Sequence, residues 1–503
     1  MSTAGEISFS AAVLPKPRFL GSKLARGSLW ALLGHGGGQL LRLAGNLVLW
    51  RLLYAEAFGL MAIVNVFMQG LTMFSDVGIG PSIIQSKRGD EPDYLNTAWT
   101  IQVVRGFALF AVAAVAAVPV ANFYHQPQLA ALIPVVSLGS ILAGFNSTKL
   151  FTVTRHIALE RLTATDLLSQ SIGLCVMVGW AVVSRNIWAL AIGGVVGNLA
   201  RLALSHALLP GIRNRFRWNK PDAAALLHFG RWIFMSTLLT FVAMQSDRLI
   251  FGKLISMSML GVYSVATIWS TFPTQILGHV FQSVIFPMLS GVHNENADVS
   301  AAYRHARAPW LIAAGWLIAC LVSGGPTLIR FLYDERAEAA GGILQILSVG
   351  TWFLALEITN GCALLAKGRP KWIAAGSAAK LCGMAILIPA GFALYGFFGA
   401  VLGFAASELF RYLVSVLGAA RATLRGFKQD LVLTGFVAAT TLLGFAAREL
   451  VRGTLGAPLL ENHARAAAFL EGAAILLVLS SAWALIFAGH KRFLPLLQRV
   501  LLA

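Results

Sequence analysis

The feature that most constrains this chain is a train of apolar segments, each about long enough to cross a bilayer as a helix. They run near residues 27–50, 58–79, 95–119, 128–148, 165–183, 187–209, 230–252, 259–289, 309–329, 343–366, 372–394, 396–418, 431–450 and 467–488. A spanning helix needs roughly 20 mostly apolar residues, and in hydrocarbon it must satisfy its own backbone. Only 12% of the 503 residues are charged, against 57% hydrophobic, and mean hydropathy is +0.73. Soluble domains are typically about a quarter charged. The chain therefore reads as an all-α integral membrane protein with about 14 transmembrane helices. A secreted disulfide protein, a nucleic-acid-binding domain and an ordinary cytosolic enzyme are excluded. The 259–289 stretch exceeds one span, and Pro273 and Pro287 are expected to kink or end it.

Charge sets the orientation. The net charge of +18 comes from 39 Lys and Arg against 21 acids. With the N-terminus in the cytoplasm, 25 of the basic residues fall in cytoplasmic loops and tails, eight on the opposite side and six within spans. Cytoplasmic loops carry the excess of Lys and Arg, so both termini are expected in the cytoplasm. The densest group is Arg213, Arg215, Arg217, Lys220 and Arg231. Most of the positive charge is then a topology signal that also attracts anionic membrane lipid, and no nucleic-acid partner is expected. The first 23 residues hold Pro15, Lys16, Pro17 and Arg18 and no uninterrupted apolar run, so no cleavable leader is expected. No ATP-binding P-loop, metal-spaced ligand set or GxSxG motif occurs, so neither cofactor, metal nor enzymatic activity is expected. Cys175, Cys320, Cys362 and Cys382 lie in apolar stretches and read as small core residues.

An offset of 202 residues relates the first two spans to the seventh and eighth. Trp30 falls on Trp232, Arg51 on Lys253, and Phe58-Gly59-Leu60 on Leu260-Gly261-Val262. The expected organisation is a tail (1–23), a six-span N-lobe (24–209), a basic cytoplasmic linker (210–229), a six-span C-lobe (230–420), and two further spans with a cytoplasmic tail (421–503).

Polar groups remaining in hydrocarbon usually face a bundle interior or a watery cavity. His35, Gln39, Arg42 and Asn46 share one face of span one, and Asn65, Gln69, Thr72 and Asp76 one face of span two. Span seven supplies Ser236, Thr240 and Asp247, and span eight Thr267, Thr271 and Thr274. These residues are expected to line a central hydrated cavity between the lobes; interhelical hydrogen bonding is the alternative use of the uncharged ones. Arg42 lies near mid-span, where an unpaired guanidinium is expensive. Other buried charges are Arg105, Arg201, Asp247, Arg248, Glu357, Lys380, Glu408 and Arg411. Glu408 is expected to pair with Arg411 on its own helix and Glu357 with Lys380, while Asp247 and Arg248 are expected near the interface.

Three segments carry a family resemblance. Span two ends in Phe74-Ser75-Asp76-Val77-Gly78-Ile79-Gly80-Pro81-Ser82-Ile83-Ile84-Gln85; span seven ends in Gln245-Ser246-Asp247-Arg248-Leu249-Ile250-Phe251-Gly252-Lys253, followed by Leu260-Gly261-Val262-Tyr263-Ser264; and Phe286-Pro287-Met288-Leu289-Ser290 closes the eighth segment. In this order they resemble the polysaccharide transporters and lipid-linked oligosaccharide flippases of the multidrug/oligosaccharidyl-lipid/polysaccharide exporter superfamily, over roughly residues 24–430. The resemblance implies two six-helix lobes in the inner (plasma) membrane that flip an undecaprenyl-pyrophosphate-linked oligosaccharide outward by alternating access. It also implies Arg42 as a headgroup contact, a proton or sodium ion as coupling partner, and a polysaccharide polymerase and export proteins as neighbours. A multidrug or cation exporter of the same superfamily, a membrane glycan polymerase and a membrane scaffold are the competing readings.

Overall fold

Segments of this length can satisfy their backbone in lipid by coiling, and they do: the described residues form helices and no strand. The computed structural model describes residues 20–75, 78–156, 159–295, 298–455 and 464–488. A first group comprises α1 (Leu20–Leu52), α2 (Ala55–Phe74), the short α3 (Ile79–Gln85), α4 (Pro92–Tyr124), α5 (Gln128–Phe145), the short α6 (Lys149–Arg155), α7 (Leu159–Val183) and α8 (Trp188–Ala207). A second comprises α9 (Lys220–Leu254), α10 (Met257–Val280), α11 (Phe286–Asn294), α12 (Val299–Leu332), α13 (Glu338–Ala366) and α14 (Lys371–Arg421). Finally, α15 (Phe427–Leu455) and α16 (Ala464–Ala488) pack on each other and on α12.

Ten of these helices are long and apolar enough to cross a membrane, counting α14 once. That helix is two arms. Tyr395 and Gly396 leave helical geometry, and Gly396 takes φ 59°, a region open to glycine without strain. The arms fold back so closely that a Cβ on Gly391 would lie 2.1 Å from the Gly399 carbonyl oxygen. The three long helices outside the ten, α1, α9 and α10, all bear polar stripes; α2 bears one too and is among the ten. The 259–289 stretch is not cut at Pro273, which stays buried inside α10; a π-helical turn at Phe281–Ile285 precedes Pro287, which opens α11.

Within the first group α4 packs on α5, α5 on α8, α8 on α7 and α7 on α1; in the second, α12 packs on α13, and α13 on both α10 and α14. The groups meet where α2 crosses α10. Lipid supplies little hydrophobic drive between helices, so small residues that admit close backbone approach matter most. A Cβ on Gly59 would fall 1.9 Å from the Met257 carbonyl oxygen, and one on Gly261 2.0 Å from that of Ala55. Both pairs, 59 with 261 and 55 with 257, keep the 202-residue offset of the sequence repeat. Leu60 and Ile63 from α2 and Leu260 and Tyr263 from α10 fill the core around this crossing. The cysteine expectation needs correction: Cys362 is buried, but Cys175 and Cys382 are exposed, because an apolar segment offers as much outward surface as core.

Candidate functional site

Polar groups shared by the two helix groups concentrate at one end of the seam, the end with the 53–54 turn. Tyr333 donates its hydroxyl hydrogen to Asn46 Oδ1 at 2.7 Å and accepts from Trp269 Nε1 at 3.0 Å. Trp50 Nε1 donates to Asp334 Oδ1 at 3.1 Å. Arg336 donates to the Leu53 carbonyl at 2.9 Å and the Trp50 carbonyl at 2.8 Å, capping the end of α1 where carbonyls lack helical partners. The same guanidinium holds Asp334 at 2.6 Å. Burial pushes the Asp334 carboxyl up, but hydrogen bonds from Arg336 and Trp50 outweigh it, so its pKa lies below the ordinary value. At the opposite end, with the 208–219 linker, Arg88, before α4, pairs with Asp222 at the start of α9.

Nearer mid-membrane, the Gln39 amide donates to the Gln275 amide oxygen, and Gln275 in turn donates to Thr271 Oγ1 at 3.1 Å. Gln245 donates to Gln69 Oε1 at 2.8 Å. Gln39, Asn46, Gln69 and Thr271 thus come together at the seam. Arg42, one helical turn from both Gln39 and Asn46, is exposed and has no partner among the described residues, and Asn65 is also exposed. The hydroxyls of Thr267, Thr271 and Thr274 all donate back to carbonyls of α10, and Thr274 is buried. Asp247 is 4% exposed, because Tyr263 of α10 reaches it with a 2.6 Å hydrogen bond. The side chains of His35, Ser236 and Thr240, and the whole of Asp76, lie outside the described residues.

A cavity of about 700 Å³ opens inside the first helix group, toward the linker end, between α2, α4, α5, α7 and α8 and against α3 and α6. Gln69 and Thr72 line it together with Arg105, Asn146, Asn198 and Arg201. So two members of the stripe on α2 border a space within one group, whereas the sequence placed them between two. Arg105 donates to Ser75 Oγ at 3.0 Å and to the Thr72 carbonyl at 2.6 Å, and Arg201 pairs with Asp166 at 2.9 Å.

The buried charges of the second group pair differently from the sequence expectation. Lys380 bonds Glu408, and Arg411 meets Glu357 at 3.2 Å. Glu408 and Arg411 share a helix, but the fold-back of α14 turns the first toward its other arm and leaves the second to α13. Close by, Arg307 bonds Asp430, Tyr412 donates to Asp430 at 2.9 Å, and Tyr303 donates to Asn360. Sequence reading passed over Asn146, Asn198, Gln275, Tyr333, Asp334 and Arg336. An amide inside an apolar segment was the available signal for Asn146, Asn198 and Gln275; the others flank segments, where polar residues are common.

Known proteins can be set beside this geometry. The chain is 23% identical over 300 residues to the teichuronic acid biosynthesis protein TuaB of Bacillus subtilis (strain 168), covering 58% of this chain and 61% of that one. It is 23% identical over 276 residues to the succinoglycan biosynthesis transport protein ExoT of Rhizobium meliloti (strain 1021), covering 54% and 55%. The alignments thus span about three-fifths of these curated relatives. The fold is similar to that of the lipid II flippase MurJ in an inward closed conformation, with TM-score 0.68 at 13% identity over 91% of this chain and 98% of that chain. This likeness shows a multi-pass, all-α membrane-transporter fold. The profile of the polysaccharide biosynthesis protein family matches residues 48–336, more than half of the chain, and the chain belongs to that family.

Proposed function

We propose that this protein carries a lipid-linked oligosaccharide across the membrane by alternating access, without being an enzyme. The observation that carries the reading is Arg42: an exposed guanidinium in α1 beside two residues, Gln39 and Asn46, that touch the other helix group. A guanidinium presents a planar fork of donors that suits phosphate oxygens. In this reading the lipid carrier is undecaprenyl pyrophosphate, its diphosphate rests at Arg42, and its tail stays in the bilayer. The 25-to-8 distribution of basic residues supports an inner-membrane topology with both termini cytoplasmic and the linker end of the seam facing inward. The contacts at Asn46, Trp50 and Asp334 then close the outer side, and transport runs from the cytoplasmic to the periplasmic leaflet. The names of TuaB and ExoT support a polysaccharide precursor as cargo. A proton or sodium ion is the proposed energy source, and a polymerase the proposed consumer of the product.

The test is Arg42→Ala in cells that depend on this protein. Surface polysaccharide should fall at least ~10-fold, about 1.4 kcal/mol, while membrane abundance stays normal, and Arg42→Lys should keep part of the activity. Normal export from Arg42→Ala cells would sink the headgroup role. Export of cationic drugs with unchanged polysaccharide would favour a multidrug exporter.

A further inference from the structure

The cavity inside the first helix group has a chemistry unlike that of Arg42. Its volume, about 700 Å³, falls within the ~300–1,000 Å³ that encloses a small ligand. Its charged groups are engaged: Arg201 with Asp166, Arg105 with Ser75 and the Thr72 carbonyl. Its amides are not matched so well. Gln102 directs its Nε2 to the carbonyls of Ala143 and Gly144 at 2.8 and 3.1 Å, and its Oε1 is buried without a donor. The Oδ1 of Asn146, a residue 7% exposed, is likewise without a donor, and Arg201 Nε lacks an acceptor.

A buried acceptor without a donor costs about 1–3 kcal/mol. Terminal amide torsions are broad, so either oxygen can turn toward the cavity, for Gln102 at the expense of its Nε2 bonds to the Ala143, Gly144 and Asn146 carbonyls. Phosphate and carboxylate oxygens only accept, and they would leave both amide oxygens unmatched. A hydroxyl donates to an amide oxygen and accepts from a guanidinium at once. Phe151, also in the wall, offers an apolar face to the C–H side of a pyranose ring. We infer that this cavity is a saccharide subsite, taking neutral, hydroxyl-rich sugar units of the glycan while the diphosphate stays at Arg42. The inference rests on the proposed function and assigns the two ends of the cargo to two places.

The test uses the full-length protein in nanodiscs and native mass spectrometry with two probes. One is undecaprenyl diphosphate; the other is the lipid-linked oligosaccharide fraction extracted from membranes of the producing cells. The wild type should prefer the glycan-bearing probe by ~10-fold or more, as sites built to bond hydroxyls do. Gln102→Leu and Asn146→Leu should bring that preference toward equality with little change in affinity for undecaprenyl diphosphate, while Arg42→Ala weakens both probes. Asn146→Asp, which keeps an acceptor at the same position, should keep the preference; thermal unfolding identifies any variant that fails to fold. Undiminished preference in folded Leu variants would mean that water alone fills the cavity, and would overturn the subsite. Equal binding of both probes by the wild type would also overturn it and leave the transport reading intact. Binding of neither probe would overturn both.

Discussion

Both helix groups bury charge in the membrane, and they do so in opposite ways. In the first, Arg201 and Asp166 pair beside an open cavity with 42% and 35% of their side chains exposed. In the second, Arg307 and its partner Asp430 on α15 are 0% and 1% exposed, hemmed in by Tyr303, Asn360 and Tyr412. In the second set each charge has a partner, although Arg307 Nε is left without an acceptor, and the cluster is shut off from solvent, so it fixes how α12, α13, α14 and α15 pack. The first set leaves amide groups unmatched around a space. Where a chain must bind cargo, an incomplete polar wall tells more than a buried ion pair.

That contrast can be broken at its strongest point. Arg307→Leu strands the Asp430 carboxylate in the packed group and should cost about 3–5 kcal/mol, seen as a lower unfolding temperature in detergent and loss of folded protein from membranes. Replacing both partners by apolar residues, Arg307→Met with Asp430→Leu, should recover most of the loss. Wild-type stability in Arg307→Leu would erase the distinction between the groups. A smaller effect is expected where they cross. Gly59→Ala puts a methyl group onto the Met257 carbonyl and should cost about 1–3 kcal/mol, and Gly261→Ala about the same. Both should also raise thiol labelling of a cysteine introduced at the buried Ala266; a difference between the twins would break the symmetry of the crossing.

The contact of Trp50 and Arg336 with Asp334 sharpens the comparison further, since it holds the groups together without belonging to either interior. Asp334→Asn should cost about 1 kcal/mol of closure and raise the same labelling modestly. Because the Asp334 carboxyl is shifted down in the closed state, its contribution is complete above the ordinary carboxylate range, near pH 3.9, and fades as pH falls through the lowered value. Labelling of the wild type should therefore stay flat from pH 8 to about 5 as far as this residue governs it. The smallest effect belongs to the cavity pair. Asp166→Asn should change stability by less than about 1 kcal/mol, because the pair is partly solvated. A loss comparable with that at Arg307 would show that the cavity charges are structural after all.

Much of this arrangement is legible in the residues. Spacing of apolar segments gives the helical membrane fold, and the break at Tyr395–Gly396 falls between the segments read as 372–394 and 396–418. The shared faces of α1 and α10 are visible too, since a stripe needs only 3.6-residue periodicity. Partners are not. Periodicity says which side chains share a face, but the rotation and crossing of two helices decide what that face meets. Hence Glu357 finds Arg411 instead of Lys380, and Gln69 borders a cavity within its own group while touching Gln245 of the other. Tyr333, Asp334 and Arg336 escaped notice for a related reason: they lie at the turn between two segments, where charge is unremarkable until the end of α1 arrives beside it.

The crossing of α2 and α10 has a consequence for ancestry. Each glycine lies against the carbonyl of the residue four positions before its counterpart, so the contact is self-complementary in the way two identical subunits meet across a two-fold axis. A half-length forebear with one such helix would have joined to a copy of itself through a single glycine serving both sides. Fusion of two such copies into one gene would turn a dimer interface into an internal one and allow the halves to diverge. One half could then keep a cavity while the other filled with ion pairs, and the meeting point preserved the older symmetry.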